Sequence, residues 1–390
     1  MIDVLYIRYD EHKDKFISIT DKNKIYDDSL FSEHYDKKIN FFSNINLCEK
    51  IPKGNHIIIL GISDVEKVKE YIWNSKSLLN NLRQNKCRLF IMYAEGSVND
   101  EGYTNFYDNG LWGLRDKIEK NKIPKNNLVT ISPEILINKE QYKDLGFEHF
   151  FFNNWMIKIE SIKKGHYHPF VKKLYKISQS QLRTSHFYSV NSTKRPHRIN
   201  LYRFLEQNNL LSKGNITFFS NRTDNTHSLL NDYDIKPIGT DCKIDTKGED
   251  WWINVIRTFS AYFQIVTCSI FDVDENDELP YVFFNEKIFK PIICFQPFIV
   301  FGQPKILQSL KEFGFKTFSP FIDESYDDEF DNKKRFQMLE NEIKRLCSMS
   351  RNEMHKWFWK MDEILKHNYN WLEKISFEHY KEFIGLLKNE

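Results

Sequence analysis

The sequence predicts a mixed α/β protein, with two doubly wound domains followed by C-terminal helices. Three observations predict it. Short apolar runs of strand length alternate with stretches of helical period through the first half. The alternation restarts near residue 186, after a segment that contains no acid. From Asn332 onward the apolar residues keep a helical spacing. Strands alternating with helices form parallel sheets covered on both faces, and 390 residues exceed what one compact core holds.

Taken in order, residues 2–8 and 56–61 are apolar runs that read as strands, 65–84 has helical period, and 88–93 is a further strand. Residues 109–121 read as a helix, 128–131 as extended, and 146–152 as the last strand of the first domain. In the second half a strand over 186–190 enters a basic, Pro-containing turn and an amphipathic helix over 198–208. A strand over 215–220, a helix over 251–262 and an extended run over 263–270 follow, then a helix over 286–295 and a strand over 298–301. Pro291 costs about 3 kcal/mol in a helix interior, so that last helix is expected to be short or kinked. Trp357, Phe358, Trp359, Ile364 and Leu365 supply the apolar face of the C-terminal helices. The expected domains are 1–180 and 181–370, with a helical extension over 371–390.

Composition narrows the function classes. A hydrophobic share of 41% and a charged share of 28% are those of a globular chain rather than a disordered one. The longest apolar runs fall short of the ~20 residues a membrane span needs, and residues 1–10 lack the basic and apolar regions of a signal peptide. Six scattered cysteines, without a CxxC pair or metal-type spacing, read as buried free thiols. A soluble protein in a reducing, cytoplasmic setting is expected.

The formal net charge of +2 hides a segregation. Residues 161–205 contain no Asp or Glu but carry Lys163, Lys164, Lys172, Lys173, Lys176, Arg183, Lys194, Arg195, Arg198 and Arg203. Such a block implies an anionic partner (a pyrophosphate, a nucleic acid or a membrane surface), or else a solvated face between domains.

Two constellations could carry chemistry. The first is Asn191-Ser192-Thr193-Lys194-Arg195-Pro196-His197-Arg198, between a strand and a helix. Backbone N–H groups at such a junction attract anions, and Arg195 and Arg198 could add bidentate phosphate contacts. No glycine-rich fingerprint accompanies it, which argues against a nicotinamide or P-loop site. The second is Phe283-Phe284-Asn285-Glu286-Lys287-Ile288-Phe289-Lys290-Pro291. Asn285 caps a helix and puts Glu286 and Lys287 in its first turn. There a carboxylate could accept both hydroxyls of a ribose while the ammonium reaches a phosphate. Alternatively, Glu286 only complements the helix dipole and Lys287 is solvated.

Residues 286–292, together with Gln296-Pro297-Phe298-Ile299, Gly314-Phe315-Lys316-Thr317-Phe318 and Ile322-Asp323-Glu324-Ser325-Tyr326-Asp327, resemble a group of phage and bacterial GT-B glycosyltransferases. That group is distantly similar to the α-1,3-fucosyltransferases through its Glu-Lys donor motif. Lys194-Arg195-Pro196-His197-Arg198 resembles the basic motif that opens the group's donor domain. The likeness covers the second half well and the first half in outline. It implies two Rossmann-like domains facing a cleft. It also implies Glu286 on the nucleotide ribose, and Lys287, Arg195 and Arg198 around the diphosphate, with Asn191 opening the donor loop. Val266-Thr267-Cys268-Ser269 departs from the group, which often carries a carboxylate there.

Under this reading the donor is a nucleoside-diphosphate sugar, uridine favoured over guanosine, and no cofactor or metal is required. Asp272-Val273-Asp274 has the letters of a metal motif but lies in an acidic loop. The first domain would hold the acceptor and the base. Glu95, just beyond the strand over 88–93, is the expected base of an inverting transfer, with Asp100 in reserve. Lys163, Lys164, Lys172 and Lys173 are the expected acceptor contacts if the acceptor is double-stranded DNA carrying 5-hydroxymethylcytosine, which is slightly favoured over a cell-surface glycan. A non-catalytic binding protein of the same shape, and a sugar-phosphate epimerase, are the competing classes.

Overall fold

The structure is a computed structural model. It describes residues 2–10, 15–18, 39–41, 56–62, 75–93, 118–136, 148–164, 168–191, 195–218, 253, 255–273 and 281–388. The chain divides into two units, Met1–Ser161 with Ser376–Glu390, and Ile162–Ile375. Both are mixed α/β with largely parallel sheets.

In the first unit, strands β1 (Ile2–Asp10), β2 (Lys15–Ser18), β3 (Ile39–Phe41), β4 (His56–Ile62), β5 (Cys87–Tyr93), β6 (Leu128–Ser132) and β8 (Glu148–Phe151) form one sheet; β7 (Glu134–Leu136) lies outside it. The order is β2-β1-β4-β5-β6-β8, β3 also pairs with β1, and β2 alone is antiparallel to its neighbour. The winding direction therefore reverses between β1 and β4. Leu89, Phe90 and Ile91 of β5 and Leu128, Val129 and Ile131 of β6 are buried. Helix α1 (Lys76–Arg83), capped by Ser75, lays Leu78, Leu79 and Leu82 into this core. The C-terminal stretch joins the unit through His379. Its ring stacks on Phe152 at 5.1 Å, and its Nε2 accepts a 2.7 Å hydrogen bond from the Asn153 N–H.

Helix α2 (Asn154–Ile162) belongs to the first unit except for Ile162, and α3 (His168–Ile177) lies inside the second unit. Its sheet comprises β9 (Ser185–Asn191), β10 (Gly214–Phe218), β11 (Ala261–Thr267) and β13 (Phe298–Phe301), all parallel, in the order β10-β9-β11-β13. The short β12 (Tyr281–Phe283) lies outside that sheet. Every residue of β11 is buried, as expected of a central parallel strand with helices on both faces, and so is every residue of β13 at the end of the sheet. Its further helices are α4 (Pro196–Gln207), α5 (Val255–Ser260), α6 (Glu286–Ile293), α7 (Ile306–Glu312), α8 (Asn332–Ser348), α9 (Arg351–Trp359) and the first part of α10 (Asp362–Lys388), whose residues from Ser376 belong to the first unit.

Two sequence expectations shift. Of the helix expected over 251–262, Val255–Ser260 is helical, and its last two residues belong to β11, where Ala261 pairs with Ser185. Ala261 and Tyr262 are fully buried, and a buried strand position outweighs helical periodicity. The Pro291-containing helix is indeed short: α6 ends at Ile293, and Phe295 takes a left-handed φ of 51° before β13 begins. The division at residues 161 and 162 precedes the expected one because α3 packs inside the second unit. Tyr175 stacks on Phe295 at 4.2 Å and donates a 2.8 Å hydrogen bond to Asp362.

Candidate active site

In the second unit the chain runs from β9 to β10 on one side, then crosses to β11 on the other. The carboxyl ends of β9 and β11 thus flank a topological switch, the position where open α/β sheets receive ligands. A buried polar floor closes it. The Thr267 hydroxyl donates to Asn191 Oδ1 at 2.6 Å, and Asn191 Nδ2 donates to Ser189 Oγ at 3.2 Å. The Asn191 N–H donates to Thr217 Oγ1 at 3.4 Å. Buried polar groups persist only when so paired.

Helix α4 starts directly above this floor, with Arg195 as N-cap and Pro196 at its first position. Its first turn closes on the carbonyls that leave β11. Arg195 Nη1 donates to Ser269 O at 2.8 Å, and Arg198 Nη2 donates to Thr267 O at 3.1 Å and to Cys268 O at 3.0 Å. His197 Nε2 lies 3.1 Å from Cys268 O, and its ring stacks on Phe271. Burial, with Arg198 beside it, holds the His197 pKa well below the ordinary range. The ring is therefore neutral, and because a carbonyl only accepts, Nε2 carries the proton. Burial and the neighbouring Arg195 lower Arg198 to about 10, which leaves it charged at neutral pH.

Helix α6 begins at the same edge. Asn285 Oδ1 accepts from the Lys287 N–H at 3.1 Å, and Asn285 Nδ2 lies 3.5 Å from Ser269 Oγ. Ser269 thus meets both helix starts, its carbonyl held by Arg195 and its hydroxyl facing Asn285. Glu286 is 7% exposed. Its Oε1 accepts from Lys287 Nζ at 2.7 Å and lies 3.8 Å from Lys290 Nζ. Burial pushes the Glu286 carboxyl up, but Lys287, Lys290 and its own backbone N–H together bring it down to about 2. One carboxylate, two part-exposed ammoniums and a helix N-terminus leave the edge net positive.

Asn191, Arg195, Arg198, Glu286 and Lys287 therefore share the carboxyl edge of one sheet. Arg198 needs a correction. It is 2% exposed and its Nη2 donates to two strand-end carbonyls, so in this structure it braces the end of β11. Lys290 was missed by the sequence reading, although its i,i+4 spacing from Glu286 signalled the pair. The acceptor lysines are not gathered there. Lys163 needs the second correction: it is 1% exposed, donates to Tyr369 O at 2.8 Å and lies 3.8 Å from Glu373, so its ammonium is withdrawn from the surface. Lys164 pairs with Glu373 at 3.3 Å. Lys172 and Lys173 are exposed on α3, which packs at the amino edge of the sheet, opposite the site. Glu95 and Asp100 lie outside the described residues.

Among the described residues no group of three or more His, Cys, Asp or Glu side chains is placed to hold a metal ion, and no helix is long and apolar enough to cross a membrane. Cys87, Cys268, Cys294 and Cys347 are buried, and the last three are free thiols. No protein-family model matches the chain, and no curated protein or solved structure shows a significant match to it.

Proposed function

We propose that the protein is a nucleotide-sugar-dependent glycosyltransferase of GT-B type whose second unit binds the donor. One observation carries the reading: the starts of α4 and α6 meet at the switch between β9 and β11, where Lys287 and Lys290 hold a single ionised carboxylate, Glu286, and Arg195 grips the neighbouring Ser269 carbonyl. A nucleoside diphosphate needs that combination. The diphosphate would lie against Lys287, Lys290 and the helix starts. Glu286, held ionised, would accept the ribose hydroxyls. Cationic side chains and helix ends also stabilise the charge that builds on a departing diphosphate, so the reading requires no metal.

The acceptor is proposed to be a hydroxyl compound brought by the first unit, with Glu95 taking its proton. Both 5-hydroxymethylcytosine in DNA and a glycan fit that chemistry. The position of Lys172 and Lys173 on α3 removes one of the arguments for DNA. Titration of UDP and GDP by calorimetry tests the donor assignment. Saturable binding by wild type that weakens in Glu286→Gln supports it, and no binding of either nucleotide contradicts it.

A further inference from the structure

The acid-free basic segment is not spent on the site above, and its outer part has a surface chemistry of its own. Helix α3 turns Val171 and Tyr175 inward. The opposite side carries Phe170, Lys173 and Ile177 at i, i+3 and i+7, which is one helical stripe, flanked by Lys172 and Lys176. Phe170 is 48% exposed and Ile177 41%. Helix α5 runs beside α3 and exposes Ile256 at 77%; Leu182, just beyond α3, is 47% exposed. Large apolar side chains this exposed and this close together mark an interaction surface rather than ordinary scatter. Among the described residues Lys172, Lys173 and Lys176 form no ion pair.

All of this lies at the amino edge of the second unit's sheet. Arg183, between α3 and β9, donates to the carbonyl of Ala261, the first residue of β11, and to Ser178 Oγ at the end of α3. The surface is thus remote, within its unit, from the carboxyl-edge site.

We propose that the surface made by α3, Leu182 and Ile256 docks the protein on an anionic lipid membrane. Phe170, Ile177, Leu182 and Ile256 would enter the headgroup–acyl boundary while the lysines reach the phosphates around them. Nucleic acid would satisfy the lysines and leave four apolar side chains without an apolar medium. A second copy of the same face would set Lys172, Lys173 and Lys176 against their own equivalents in a two-fold contact. An anionic bilayer satisfies both sets of groups. The proposal is independent of the glycosyltransferase reading and survives its failure.

The test is co-sedimentation of the full chain with vesicles of phosphatidylcholine alone or mixed with phosphatidylglycerol. Wild type is expected to bind the mixed vesicles and not the neutral ones. Reversing two surface cations, in Lys173→Glu with Lys176→Glu, should lower that binding at least about twenty-fold. Phe170→Ser with Ile256→Ser should lower it with the lysines intact. Unchanged thermal melting shows that these exposed substitutions keep the fold. No binding by wild type, equal binding to both vesicles, or unaltered binding by either double variant overturns the proposal. So does a wild type that ignores vesicles but retains double-stranded DNA through Lys173 and Lys176, or a dimer in solution that the serine variants dissolve.

Discussion

The Thr267 hydroxyl donates a 2.6 Å hydrogen bond to Asn191 Oδ1 and so ties the carboxyl end of β11 to that of β9, the two strands flanking the switch. Both residues are at most 1% exposed, so neither group has water as a substitute. Thr267→Val keeps the shape and removes the donor. Leaving a buried acceptor unpaired costs about 1–3 kcal/mol. Urea unfolding should show a loss of that size, with weaker nucleotide binding. An unchanged midpoint and affinity would mean that the bond is dispensable.

Glu286 and the lysines should separate by ligand. Glu286→Gln removes an ionised acceptor, and a hydrogen bond to a charged group contributes about 1.5–3 kcal/mol. UDP affinity should fall about ten- to a hundred-fold, whereas inorganic pyrophosphate, which has no ribose, should bind as well or better because Lys287 and Lys290 lose their partner. An equal loss for both ligands would remove the ribose assignment.

Two carboxyls should respond to pH with opposite sign. Glu286 is brought below its ordinary 4.5 to about 2, so its stabilising effect is complete above 4.5 and is lost as pH falls toward 2. Asp327, at the start of α7, is pushed by burial from 3.8 up to about 6, even though it accepts the Leu307 and Gln308 N–H groups. Its protonated form is the one the fold favours, so that contribution is present below 3.8 and disappears as pH rises through 6. The span amounts to roughly 3 kcal/mol. Unfolding of wild type and Asp327→Asn at several pH values should show that difference across the window, and parallel curves would reject it.

Arg335 should be a stability residue. It is 1% exposed, donates to the Phe271, Glu329 and Phe330 carbonyls, and lies over the Phe271 ring at 4.5 Å. Arg335→Met should cost about 2–4 kcal/mol, and a melting temperature within error of wild type would show that the loop from Phe271 to Val273 holds without it.

How much of this was legible in the sequence differs from element to element. Strands β5, β9 and β13 were readable because buried parallel strands are apolar runs of fixed length. The start of β11 was not: Ala261 and Tyr262 continue a helical period, and only pairing with β9 makes them strand. At the site, Asn285 as a cap and Glu286 with Lys287 in the first turn were readable from local spacing. The role of Arg198 was not, because two strand-end carbonyls are distant in sequence and carry no residue-type signal. Lys163 was misjudged for the same reason; its partners, Tyr369 and Glu373, lie about 200 residues onward.

Nucleotide release from a panel of UDP- and GDP-sugars decides whether the protein is a glycosyltransferase. Wild type is compared with Lys287→Ala and Lys290→Ala, in the presence of hydroxymethylcytosine DNA, of glycan acceptors, or of neither. A glycosyltransferase with this donor site should release a nucleoside diphosphate from one donor class, faster with one acceptor class and strongly reduced in both lysine variants. No release from any donor with any acceptor, or release that is indifferent to Lys287 and Lys290, would contradict it.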